Sequence, residues 1–284
     1  MLEKINDYLA KHDWSETTRE RYRRALLLFL KDGGDFGTLT ASGFRKWLEK
    51  RGWARSTQWV AYNAVRGFIR SEFGDDHPAL EMDLKRPQIP PQRSLDLEQV
   101  QKLLYSFDTS SVKGRRDLAI CALFLDTGLR VSEMCRIDLK YLDLDTLLLS
   151  VLVKRRKWHT MTYSPETANF VAAWLADRMG ITTSYAQVFI SVGGNTPGCA
   201  LTRHGLQTIV KLWGLRAEIG HLSPHDLRRT FTTISSERGA SERVLMEQGG
   251  WSTSEMIKRY TRNLRLKSFL KYSPVSAAMR HTAE

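Results

Sequence analysis

His225 and Arg228 stand three residues apart in Ser223-Pro-His225-Asp-Leu-Arg228-Arg-Thr, and Gly250-Trp251 and Tyr260 follow them. Alone, His-x-x-Arg is a common pattern that carries little weight. Upstream, Thr127-Gly-Leu-Arg130-Val-Ser-Glu133 supplies a second arginine. Between the two, Lys154 falls in an apolar–basic–polar run that reads as a β-hairpin. Two arginines, a histidine, a lysine, an indole N–H and a phenol form a set suited to attack on a DNA phosphodiester with no metal and no cofactor.

A phosphodiester repels nucleophiles and has a poor alkoxide leaving group. A protein acting on it without a metal must neutralise developing charge, activate a nucleophile and protonate the leaving oxygen. Arginine suits the first task, because it is always charged and its planar fork matches phosphate oxygens. Arg130 follows Gly128 at a tight helix–helix junction, and Arg228 lies one helical turn from His225, on the same face. Pro224 suits the start of that helix, where backbone dipoles also favour phosphate. Tyr260 is the candidate nucleophile; a phenol of pKa about 10 needs a cationic pocket to favour its phenolate. Lys154 is placed to protonate the leaving 5′ oxygen, His225 to shuttle protons or bind phosphate, and Trp251 to donate one indole N–H.

Each residue also has a plainer reading. Arg130 could pair with Glu133 or Asp126, and His225 could cap a helix. Lys154 to Lys157 could be a solvated turn, Trp251 could be core, and Tyr260 is one of nine tyrosines. Their joint order favours the chemical reading.

The elements that must position these groups are mostly helical. In residues 1–74 four helices are expected. Ser15 can cap the second, and Gly33-Gly34 stops it. The third spans about Thr40 to Lys50. The fourth, about Ser56 to Phe73, carries Trp59, Tyr62, Val65, Phe68 and Ile69 on one core-facing stripe, with Arg55, Arg66 and Arg70 on the other face. Those arginines suit either a solvated face or a phosphate-contacting one. Pro87, Pro90 and Pro91 make residues 75–93 read as an extended linker. Residues 94–284 read as helical around one small sheet. Its strands are expected at Leu142 to Asp145, Leu147 to Val153 and His159 to Tyr163. Helices are expected near 165–179, 202–214, 225–238, 241–248 and 253–261.

Composition fits this organisation. The 284 residues carry 42% apolar and 26% charged side chains, as soluble globular chains do. No apolar run is long enough to span a membrane, and the first residues lack the apolar stretch of a signal peptide. Cys121, Cys135 and Cys199 form neither a zinc pattern nor a disulfide framework, which suits a reducing cytoplasm. Net charge is +12, and it is uneven. Residues 1–90 carry 16 basic against 13 acidic side chains, and residues 91–284 carry 27 against 18. A polyanionic partner is expected, and nucleic acid is the commonest.

With these motifs in hand, the chain resembles the tyrosine recombinases of the Xer, Cre and phage-integrase type over nearly its whole length. The resemblance places the family's first arginine at Arg130, its acidic neighbour at Glu133 and its hairpin lysine at Lys154, with Lys157 the alternative. Its His-x-x-Arg box falls at His225 and Arg228, its His-or-Trp position at Trp251 and its nucleophile at Tyr260. Two departures stand out: Gly250-Trp251 replaces the usual Gly-His, and Lys154-Arg155-Arg156 replaces the Gly-Lys-Gly turn of bacterial members. The likeness is to compact members without an arm-binding domain.

The resemblance implies a mainly α fold with a small antiparallel β-sheet. A helical core-binding domain (1–74), the linker (75–93) and an α+β catalytic domain (94–284) would close as a clamp on DNA. It implies cleavage through a 3′-phosphotyrosyl intermediate with a free 5′-hydroxyl, then strand exchange through a Holliday junction, without metal or ATP. The outcome would be integration, excision or resolution of a mobile element or replicon. The expected partners are double-stranded DNA with inverted-repeat core sites and three further copies of the chain, with an accessory protein as a possible addition. The C-terminal tail, around Leu266, Phe269 and Leu270, would dock on a neighbouring copy. For contacts to bases or phosphates the helix starting near Thr202 is expected, with Arg203 first, then His204 and Gln207. Competing readings are a type IB topoisomerase-like strand transferase, a telomere resolvase, and a non-catalytic DNA-binding protein that retains the fold.

Overall fold

The computed structural model describes residues 1–87, 93–153, 157–255, 257–258 and 261. The chain divides into two compact units, Met1–Pro90 and Pro91–Glu284. The described residues follow the expected fold class: mostly helix, with one small antiparallel sheet in the second unit.

The first unit contains helices α1 (Leu2–Ala10), α2 (Glu16–Lys31), α3 (Ala41–Lys50) and α4 (Arg55–Phe73). Local chemistry sets where they start. The Ser15 hydroxyl accepts from the Thr18 N–H at 3.3 Å, and the Thr40 hydroxyl from the Gly43 N–H at 3.2 Å. The expected stripe on α4 is core: Tyr62, Val65, Phe68 and Ile69 are buried with Ile5, Leu26, Phe29 and Phe44. The segment expected to be an extended linker is built into this unit at its start. Pro78–Glu81 forms a 3-10 turn, and Ala79, Met82 and Leu84 are buried in the core. The Tyr62 hydroxyl donates to the Met82 carbonyl at 2.9 Å. Prolines forbid helix continuation, but they do not forbid packing when apolar residues alternate with them.

The second unit is organised on helix α6 (Val112–Thr127), which is buried almost all round. Its internal charges are satisfied. Arg116 pairs with Asp117, which also accepts from the Trp213 indole at 3.0 Å. Around it lie α5 (Leu97–Tyr105), α7 (Val131–Met134), α8 (Pro165–Met179), α9 (Arg203–Arg216), α10 (Pro224–Glu237) and α11 (Glu242–Gly249). Three strands, β1 (Leu142–Asp143), β2 (Leu148–Val153) and β3 (Lys157–Thr162), form an antiparallel sheet in the order β1-β2-β3. β1 is shorter than expected. The Asp143 carboxylate accepts from the Asp145 and Thr146 N–H groups, each at 3.0 Å, and turns the chain there. β3 starts earlier than expected, because Lys157 and Trp158 pair with Val153 and Leu152. Leu149, Val151 and Met161 face the core, and Leu148 and Trp158 face outward. Among the described residues no helix is long and apolar enough to cross a membrane.

Candidate active site

The site is assembled where three chain segments end. The first is the close of α6. Gly128 takes a left-handed conformation (φ +59°) that lets the chain leave the helix and deliver Leu129 and Arg130. A Cβ there would sit 2.4 Å from the Phe231 ring, so the helix end and α10 can approach only because this residue is glycine. Of the two partners weighed for Arg130, the structure selects Glu133. Arg130 Nη1 donates to Glu133 Oε1 at 2.8 Å, and the Arg130 N–H to Oε2 at 2.7 Å. The Glu133 side chain is 7% exposed, against 40% for Arg130. The carboxylate is therefore the fixed post and the guanidinium the part left facing solvent. Asp126 is used elsewhere: it accepts from the Ser164 N–H and hydroxyl and from the Thr167 hydroxyl, holding the start of α8.

The second segment is the start of α10. Its cap is Ser223, not His225. The Ser223 hydroxyl accepts from the Asp226 N–H at 3.3 Å, and the Asp226 carboxylate accepts back from the Ser223 N–H at 2.9 Å. This reciprocal cap leaves His225 on the exposed first turn. Its pKa is lowered, first by partial desolvation and then by the charges of Arg229, Arg228 and Arg130, while Asp226 opposes the shift. The ring is therefore held toward its neutral form, with one N–H donor and one acceptor nitrogen.

Arg228 ties the second segment to the first and third. It is 3% exposed. Its Nη1 donates to the Gly128 carbonyl, and its Nη2 donates to the Gly249 carbonyl at 2.8 Å. The third segment is the close of α11, where Gly250 is left-handed (φ +64°) and Trp251 follows. The Trp251 ring lies 4.3 Å from the Arg228 guanidinium carbon and stacks on Phe231 at 6.2 Å. With Leu245 and Ile257 it makes a small separate core.

Arg130, His225 and Arg228 line one open cleft of about 600 Å³. Arg203, His204 and Gln207 of α9 line it as well, so the residues expected to hold phosphate and those expected to read or hold DNA share a single concavity. The Thr202 hydroxyl caps α9 by accepting from the Gly205 N–H at 3.0 Å. Thr208, Lys211 and His221 also line the cleft, and no sequence motif marks them. Helical spacing from Arg203 and Gln207 to Lys211 is the signal that could have found the lysine. No acidic side chain is among the described residues lining the cleft. Such a surface attracts a polyanion.

Lys157 opens β3 and is exposed. Lys154 and Tyr260 fall outside the described residues, as does the expected docking tail. In the first unit Arg55 is exposed on the first turn of α4, Arg66 lies 5.6 Å from the Tyr62 ring centre, and Arg70 pairs with Asp75 at 2.5 Å. Among the described residues no His, Cys, Asp and Glu group could hold a metal ion.

Residues 93–266 match the model of the phage integrase family. The chain is 28% identical to the tyrosine recombinase XerC of Mycobacterium sp. (strain JLS), over 92% of this chain and 93% of that protein. Among solved structures, the XerH site-specific recombinase bound to a palindromic difH substrate, a post-cleavage complex, aligns with a TM-score of 0.76 at 16% identity. That alignment covers 91% of this chain and 80% of XerH. The Tn1549 transposon integrase in complex with transposon right-end DNA aligns with a TM-score of 0.72 at 15% identity, covering 95% and 98%.

Proposed function

Because this chain belongs to the phage integrase family of tyrosine recombinases, we propose that it is a site-specific DNA strand transferase whose nucleophile is Tyr260. The observation that carries this reading is the double donation of Arg228 to the Gly128 and Gly249 carbonyls. It ties the Arg130 turn and the His225 helix, which line one basic cleft, to the chain just before the Gly250-Trp251 turn.

In the proposed reaction the Tyr260 oxygen attacks the scissile phosphorus. The bond to the 5′ oxygen breaks, a 3′-phosphotyrosyl link forms, and Lys154 gives the leaving oxygen its proton. Arg130 and Arg228 offset the charge that develops on the non-bridging oxygens. Neutral His225 accepts the phenol proton as Tyr260 attacks and hydrogen-bonds the phosphate. The released 5′-hydroxyl of a partner strand then attacks the phosphotyrosine. Phosphodiester energy is kept, so no ATP enters the balance, and the cationic side chains supply the charge stabilisation that a metal would otherwise give. We extend the reading to four copies on two inverted-repeat sites, exchanging strands through a Holliday junction in integration, excision or resolution of a mobile element or replicon. Arg203, His204, Gln207 and Lys157 serve as DNA contacts, with the 1–74 helices as a second DNA-binding domain.

The test is a covalent-trapping experiment. DNA from the flanks of the native gene, nicked just beyond the scissile phosphate, is incubated with the protein, and the adduct is mapped by peptide mass. An adduct on Tyr260 that is absent from Tyr260→Phe, with DNA binding retained by that variant, is the expected result. Sequence-specific binding with no adduct would favour the non-catalytic DNA-binding reading.

A further inference from the structure

β3 is the outer strand of its sheet, so the N–H and C=O groups on its far side need partners from outside. At Thr162 a side chain supplies both. Gln248, the next-to-last residue of α11, accepts from the Thr162 N–H through Oε1 at 3.2 Å and donates from Nε2 to the Thr162 carbonyl. Its primary amide pairs with Thr162 much as the backbone of a further strand would. The second Nε2 hydrogen goes to the Asp126 carbonyl at 3.1 Å, four residues before Arg130. The backbone at the same place is also engaged. The Gln248 carbonyl lies 3.1 Å from His159 Nε2 on β3, and the Gly249 carbonyl accepts from Arg228. A Cβ on Gly250 would come within 3.1 Å of the His159 ring, so β3 closes directly on the turn that leads to Trp251.

One amide on α11 therefore uses both donor hydrogens and its acceptor oxygen on two other segments, and the three segments so tied each lead to a different part of the site. Asp126 leads to Arg130. Thr162 ends the strand that begins just after residues 154–156. The α11 terminus leads to Trp251 and holds Arg228. Gln248 is not among the described residues lining the cleft, and its amide is taken up by protein groups. Resting on the strand-transfer reading above, we propose that Gln248 is a positioning residue: it sets the β2–β3 hairpin against the arginine ends of the site and so governs proton delivery by the hairpin lysine, not DNA binding.

The test exploits the leaving group. When sulfur replaces the 5′ bridging oxygen, a thiolate departs without needing the proton that an alkoxide needs, so a misplaced acid costs little. Gln248→Met removes all three side-chain hydrogen bonds at similar length. Gln248→Glu keeps the acceptor for the Thr162 N–H and points a carboxylate at two carbonyls. Single-turnover cleavage is measured on oxygen- and sulfur-bridged versions of the flanking DNA, alongside DNA affinity and thermal melting. Both variants should cleave the oxygen substrate about 30-fold more slowly, bind within about twofold of the unaltered chain, and recover to within about threefold on the sulfur substrate. Equal slowing on both substrates, or no slowing, would overturn the positioning role and leave the strand-transfer reading intact. If the unaltered chain binds the duplex and forms no adduct, the strand-transfer reading falls, and this proposal with it.

Discussion

The Arg228 guanidinium carbon lies 4.3 Å from the centre of the Trp251 ring, and Phe231 stacks on the same indole. The contact gives Trp251 two jobs that a histidine at the same place would do differently. Its area fills a small core with Leu245 and Ile257, and its face steadies a buried cation. Trp251→Phe keeps most of the area and loses the N–H. It should lower stability by no more than about 1.5 kcal/mol, with cleavage reduced about tenfold if the N–H serves the phosphate. Trp251→His keeps a ring N–H and should retain partial activity, at a larger loss of melting temperature. Complete inactivity of the histidine variant, with unchanged DNA affinity, would show that Trp251 acts through packing.

Arg130 and Arg228 are expected to separate when stability and rate are measured together. Arg228 is buried and satisfies two carbonyls. Arg228→Ala leaves both buried groups without that donor, so it should cost about 2–4 kcal/mol in chemical denaturation as well as abolishing cleavage. Arg130 is 40% exposed, and its pairing with Glu133 is partly screened. Arg130→Ala leaves the nearly buried Glu133 carboxylate with a backbone N–H donor only, so it should cost about 1–2 kcal/mol, less than Arg228→Ala, while cleavage falls on the order of 100- to 1,000-fold. Comparable stability losses in the two variants would contradict this division.

His225 should titrate below the ordinary histidine range, because desolvation and the charges of Arg229, Arg228 and Arg130 all disfavour its cation. The sign for stability follows. A histidine whose folded pKa is lowered binds its proton more readily when unfolded. It therefore costs nothing well above the unfolded pKa of about 6.5, and it destabilises progressively as pH falls through that value toward the folded one. NMR titration of the ring should give a midpoint under about 6.5, and Arg229→Gln should move it upward. His225→Gln should flatten the acid limb of the stability curve in that window.

Gly128 should tolerate no side chain. Its φ of +59° and the 2.4 Å that would separate a Cβ from the Phe231 ring act together. Gly128→Ala should lose about 1–2 kcal/mol from the left-handed backbone alone, with repacking of Phe231 in addition. Gly128→Ala with Phe231→Leu should recover part of the loss in thermal melting, because only the steric part is relieved. No recovery in the double variant would mean that the backbone conformation dominates.

Much of the fold is legible in the order of residues alone. Ser15, Thr40 and Ser223 stand where helix caps should, and each accepts the N–H three residues on, because capping depends only on neighbours in the chain. The α4 stripe is core because helical periodicity alone puts those residues on one face. The candidate set can be read from residue types and order, and three of its members, Arg130, His225 and Arg228, line one cleft. His225 as a cap is the alternative that fails, since Ser223 and Asp226 already form the reciprocal cap. The expected linker extends too far at its start, because proline content says where a helix stops and not whether the chain around it packs. Lys154 and Tyr260 lie outside the described residues, so their placement rests on the sequence.

The sequence by itself determined the helices, their caps, the small hairpin sheet, the uneven positive charge and the chemical inventory, since all of these depend on local propensity, periodicity and composition. Only the tertiary structure decided which partners the inventory takes. Glu133 has a local advantage over Asp126 as the partner of Arg130, standing three residues on in the first turn of α7, and the α8 hydroxyls that occupy Asp126 remove the competitor. Nothing in His-x-x-Arg foretells that Arg228 spends its donors on carbonyls 100 and 21 residues away. Gln248 carries no motif at all, and its bonds to residues 86 and 122 positions earlier arise because the end of α11 covers the open edge of β3. Contacts at such separations are set by how finished elements pack, and only there does a set of suitable residues become a site.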